Sequence, residues 1–171
     1  MLGWATVKSD SIDIDVDAGL ARMRQGAAGH HSLRVNAWMP FYLTREAEIL
    51  SLYGRYDTAM LRLDEAKALM GQLEQFYAEP ELHRLRAATL SAQGAAGREI
   101  DAAFEQALEA ARRHQTKLWE LRAATSCGEF WREGGRRRQA RDLLEPVYGW
   151  FTEGFETLDL KKAKAVLESL T

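Results

Sequence analysis

Small and large apolar residues alternate along this chain at helical spacing, and the pattern returns at steps of 40 or 41 residues. Ala140, Leu144 and Val147 fall on one helix face, separated by four and three positions. Moving upstream by 40, 41 and 40 residues, Val147 maps to Ala107, Ala66 and Gly26. Leu144 maps to Phe104, Leu63 and Met23, and Ala140 to Ile100, Ala59 and Gly19. The middle column is always large and apolar. The flanking columns are mostly small, with Ile100 and Val147 the exceptions.

Packing explains such a pattern. A helix pair cannot bury its apolar face alone, so each copy must stack on the next. Small residues let helix axes approach, and the large residue between them fills the groove. The helix preceding each triplet supplies Ala47, Ala87 and Gly128, followed three positions later by Leu50, Leu90 and Trp131. Gly54, Gly94 and Gly135 then stand where a helix must stop and the chain reverse. The punctuation predicts helices over about 19–28, 40–53, 57–76, 80–92, 98–114, 116–133, 137–151 and 158–170. Pro40 and Pro80 suit first helical turns, Asp57 and Thr116 read as caps, and Pro146 should kink its helix. In the last helix Leu160, Ala163, Val166, Leu167 and Leu170 form one apolar stripe, opposite Lys161, Lys162, Lys164 and Glu168. That helix is expected to cap the exposed end of the last pair, with Phe151 and Phe155 filling the junction.

A small residue, a large one three later, a turn glycine and then small, large, small resembles the tetratricopeptide (TPR) repeat, although the step here exceeds the usual ~34 residues. Gly54-Arg55-Tyr56-Asp57 with Ala59, Leu63 and Ala66 is the closest copy. Glu81-Leu82-His83-Arg84-Leu85-Arg86, Leu121-Arg122-Ala123-Ala124-Thr125-Ser126 and the 146–155 string from Pro146 to Phe155 resemble the C-terminal TPR tail of bacterial signalling proteins. In those proteins an adenylate or guanylate cyclase-like domain, or another effector, precedes an ATPase module and helical repeats. The resemblance implies an all-α, TPR-like antiparallel helix-hairpin solenoid, a right-handed superhelix with a C-terminal capping helix. It implies one repeat domain over 1–171: an incomplete repeat at 1–31, helix pairs at 32–76, 77–115 and 116–153, and the capping helix at 154–171. It further implies a non-catalytic, cytoplasmic scaffold that binds a protein or peptide.

In TPR stacks the first helix of each pair lines the concave face. Setting Gly54, Gly94 and Gly135 in one register places there Thr44, Glu48 and Ser51, then Arg84, Ala88 and Ser91, then Arg122, Thr125, Glu129 and Arg132. Arg84 and Arg122 are candidates to grip a peptide carboxylate through forked hydrogen bonds. Arg136, Arg137, Arg138 and Arg141 form the densest basic patch, a candidate contact for an acidic partner.

Composition narrows the alternatives. Apolar residues make up 46% and charged residues 28%, so the chain can bury a core. A net charge of −2 provides no global attraction to nucleic acid, and the basic patch lacks interleaved aromatics, which disfavours a nucleic-acid-binding repeat. No apolar run approaches a membrane span, and the N-terminus lacks a secretory pattern. The sole cysteine, Cys127, excludes an intrachain disulfide and falls on an apolar face. Ile12-Asp13-Ile14-Asp15-Val16-Asp17 is strand-like in its alternation and echoes a calcium loop, but Ala18 and Arg24 stand where such a loop needs Gly and Glu. His30-His31 cannot share a helix face. No phosphate-binding glycine loop, nucleophile elbow or zinc-protease motif occurs, so neither cofactor nor catalytic residue is expected. Met1–Lys8 reads as the end of a helix lacking its earlier turns, which raises a second possibility, homodimerisation through the N-terminal helices.

Overall fold

The computed structural model describes residues 16–32 and 38–171, with side chains over 16–26 and 38–171. The segments read as a helix remnant at the N-terminus, as the aspartate-rich linker before Val16 and as the approach to Trp38 lie outside the described residues, as do the side chains of His30 and His31. The described residues are all-helical, with eight helices and no strand. We number them α1 (Val16–Ser32), α2 (Met39–Leu52), α3 (Tyr56–Leu73), α4 (Glu79–Ala92), α5 (Gly97–Arg113), α6 (Lys117–Glu133), α7 (Arg137–Gly149) and α8 (Leu158–Ser169). None is long and apolar enough to cross a membrane.

The chain divides into two compact units, one ending at Ala78 and the other running from Glu79 to Thr171. In the first, α1 packs on α2 and α2 on α3. Its interior holds Leu20, Met23, Ala47, Ile49, Leu50, Ala59, Leu63, Ala66 and Met70, all at most 5% exposed. Gly26, expected in the small-residue column, is exposed, and a Cβ there would meet nothing within 4 Å. The pattern of close packing therefore does not include Gly26. The central stretch of α2 is buried on every side, including Arg45 and Glu46. Arg45 pairs with Glu48 at 2.9 Å, and Glu46 accepts from Arg24 Nε at 3.0 Å. Buried charges at adjacent positions are tolerated because each has an opposite partner.

In the second unit α4 packs on α5 and α6, and α6 packs on α7 and α8. The apolar stripe of α8 is buried as expected: Leu160, Ala163, Val166 and Leu170 join Leu121, Ala124, Ala140, Leu144 and Val147 in one core cluster. A second cluster gathers Ala87, Ile100, Ala103, Phe104 and Cys127. Phe151 packs against the core, but Phe155 is 43% exposed and touches Tyr148 instead of sealing the junction.

The three turns at Gly54, Gly94 and Gly135 are nearly superimposable in their bonding. Each glycine has φ between 72° and 76°. The following N–H bonds back five residues, Arg55 to Leu50, Ala95 to Leu90 and Arg136 to Trp131. Each glycine N–H also bonds back three, to Ser51, Ser91 and Arg132. This is the Schellman arrangement, and it needs a left-handed residue that only glycine adopts without strain. The end of α5 makes the same pair of bonds with Gln115 at φ 54° in the glycine position. Capping at the helix starts differs from expectation. Arg55, not Asp57, occupies the N-cap of α3, with Asp57 inside the first turn. Thr116 does precede α6, but its hydroxyl donates back to Ala111 and forms no cap bond. The helix through Pro146 ends three residues later at Gly149, and the proline lies exposed.

Candidate functional site

The ten residues expected on a binding face separate by burial. Thr44 and Thr125 are interior, their hydroxyls donating at 2.7 Å to the carbonyls of Phe41 and Leu121. Glu48 is also buried, held by Arg45. None of these three offers surface to a partner, because each is buried. Ser51, in the first unit, is half-buried. The other six, Arg84, Ala88, Ser91, Arg122, Glu129 and Arg132, lie in the second unit and keep some exposure.

A cavity of about 240 Å³ opens on that unit between α4, α6 and α8. Arg84, Ala88, Ser91 and Glu129 line it, four of the six. Residues not anticipated complete it: Phe104 from α5, Ser126, Phe130 and Glu133 from α6, and Lys162 from α8. Phe104 and Phe130, with ring centroids 6.0 Å apart, are its two aromatic lining residues.

The two arginines do not stand ready for an outside carboxylate, because a carboxylate of the chain already occupies them. Arg84 grips Glu81 with both fork arms, Nε at 2.7 Å and Nη2 at 2.9 Å. Arg122 Nη2 lies 3.1 Å from the same Glu81 carboxylate, and its Nε lies 3.4 Å from Asp159 on α8. Arg84 also donates to the Ser126 hydroxyl at 3.3 Å. The Glu81 side chain has no exposed surface, so the pair of guanidinium groups compensates a charge that could not otherwise be buried. Glu81 and Arg122 are 41 residues apart, one step of the sequence pattern, and Arg84 lies one helical turn beyond Glu81. That register was the signal for the contact.

The basic patch is divided in the same way. Arg136 donates twice to Asp101, at 2.7 and 3.0 Å, and lies over the rings of Phe130 and Trp131. Trp131 Nε1 donates to the same carboxylate at 2.7 Å. Burial alone would raise the Asp101 carboxyl, but the bonds from Arg136 and Trp131 outweigh it and hold it below its ordinary value. Arg137 reaches the Ser169 carbonyl at 3.4 Å. Arg138 is almost fully exposed, and Arg141 is half-buried. Three of the four arginines therefore do not form one continuous cationic surface with Arg136, which belongs to the helix-packing contact.

Cys127 is 1% exposed, and burial pushes its thiol up to about 12, so it behaves as a small apolar residue. Among the described residues no cluster of three or more His, Cys, Asp or Glu side chains is placed to hold a metal ion. Family models, curated proteins and solved structures contain no match to this chain.

Proposed function

We propose that this chain is a non-catalytic protein–protein interaction scaffold, a TPR-like stack of helix hairpins of the kind that forms the regulatory tail of bacterial cyclase–ATPase signalling proteins, acting in the cytoplasm. The observation that carries this reading is the threefold recurrence of one hairpin turn, at Gly54, Gly94 and Gly135, each followed by a buried apolar triplet with a large middle residue, Leu63, Phe104 or Leu144. Repeated hairpins spend their apolar faces on one another and leave first-helix surfaces for partners. The cavity beside Arg84, Ala88, Ser91 and Glu129 gives such a surface relief in the second unit.

The test is capture of partners from a bacterial extract by the cross-linked wild-type chain and by the double variant Ala88→Arg/Ser91→Arg. Both positions are on the surface of α4, so helicity by circular dichroism should be unchanged. The scaffold reading expects at least one protein enriched by the wild type and lost with the variant. Identical captured sets from the two chains would refute it.

A further inference from the structure

We propose that the cavity between α4, α6 and α8 receives a single basic side chain, lysine or arginine, from an extended segment of a protein partner. The proposal rests on the scaffold reading and specifies the chemistry it would recognise.

Size comes first. At about 240 Å³ the cavity is smaller than the roughly 300–1,000 Å³ usual for small-molecule sites, so it suits one side chain rather than a whole ligand. Its lining then selects the kind of side chain. The Phe104 and Phe130 rings give the cavity an apolar lining against which methylene groups can lie, while the Phe130 ring already carries the Arg136 guanidinium 5.4 Å from its centroid. Arg84 contributes little net charge, since Glu81 takes its fork. At the rim stand two carboxylates, Glu129 and Glu133, against one ammonium, Lys162. Lys162 sits 2.8 Å from Glu129 in a pair that is 56% and 31% exposed, a geometry that holds weakly. Glu133 is 71% exposed, and its ion pair with Arg132 spans 3.9 Å. An entering cation would find carboxylate acceptors at the rim and form charge-assisted bonds there. An entering carboxylate would meet two like charges, a guanidinium already neutralised and a single ammonium, Lys162, that Glu129 already holds. The forked-carboxylate role expected for Arg84 and Arg122 is thereby reversed in sign: the chain supplies the carboxylate, and the open position favours a cation.

The experiment titrates the isotopically labelled full chain with three capped pentapeptides, Ser-Gly-X-Gly-Ser, where X is arginine, norleucine or glutamate. Amide shifts of Ser91, Ser126, Glu129 and Glu133 report binding. The arginine peptide should shift them saturably and bind at least about five-fold more tightly than the norleucine peptide, with no saturable response to glutamate. Lys162→Ala removes the competing ammonium and should tighten the arginine peptide by about two- to three-fold. Glu129→Gln/Glu133→Gln should weaken it by about ten-fold. All three positions are partly or largely exposed, so the variants should keep their helicity and melting temperature. A glutamate peptide that binds best and is lost with Lys162→Ala would overturn the proposal, as would equal responses to all three peptides or none. Failure of the peptide series while Ala88→Arg/Ser91→Arg still loses a captured protein would remove only the basic-anchor claim. Identical capture by both chains would remove the scaffold itself.

Discussion

The Glu81 carboxylate shows how one side chain can decide the character of a surface. It is buried without exposure, receives both arms of Arg84 and is approached by Arg122. Removing it leaves the largely buried Arg84 guanidinium without that anion and Arg122 still beside Asp159. Glu81→Ala is expected to cost about 3 kcal/mol of stability, measured by denaturant unfolding, because breaking a buried pair strands the remaining charge. Acid sensitivity belongs to this scale too. Burial alone would raise the Glu120 carboxyl, but hydrogen bonds from Lys117 at 2.7 Å and Arg112 at 2.9 Å prevail and hold it below 4.5. Glu79 is lowered likewise by His114 and Arg113 against the same desolvation. A carboxyl whose folded value is depressed adds stability above its unfolded value, and that contribution is lost as pH falls through the folded one. The second unit should therefore lose stability progressively below about pH 4.5. Glu120→Gln should flatten that acid slope in a pH series of melting temperatures; an unchanged slope would show that Glu120 contributes nothing to it.

At the scale of the element, hairpin turns and helix packing were legible where the physics is local. Glycine at 54, 94 and 135 is required by a backbone conformation, and each was readable as a stop. Gln115 makes the same turn without being glycine, so Gln115→Gly should stabilise the second unit by about 1 kcal/mol by relieving a left-handed side-chain conformation. Gly135→Ala should cost a similar amount, about 1 kcal/mol. Gly128 is a different case. A Cβ there would meet Val166, Leu144 and Ala140 at 3.6 to 3.9 Å, ordinary contact distances. Its small size is compatible with close helix packing but glycine itself is not required, as Ala47 and Ala87 at matching positions indicate. Gly128→Ala should add about 1 kcal/mol through helix propensity, seen as a higher unfolding midpoint. Caps were read less well. Asp57 had the right chemistry two positions too late, since the turn before α3 leaves Arg55 at the N-cap.

For the whole molecule, the proposed scaffold buries its repeated columns through Leu63, Phe104 and Leu144 within the chain, so light scattering over a concentration series should return the 19.3 kDa monomer mass. A dimer persisting on dilution would instead favour the self-assembly function. The amino-acid sequence by itself determined the helical class, the three glycine turns and the buried column through Leu63, Phe104 and Leu144, because periodicity and backbone conformation are set by neighbours a few positions apart. Leu63, Phe104 and Leu144 are 0 to 2% exposed, as their shared column required. Tertiary structure alone decided which charged groups remain available. Glu81 meeting Arg122, Arg136 turning to Asp101, and Lys162 of α8 reaching Glu129 of α6 each depend on which helices stand side by side. Apolar faces are satisfied by any close neighbour, but an ion pair exists only where two particular side chains converge, and that convergence is a property of the packed chain.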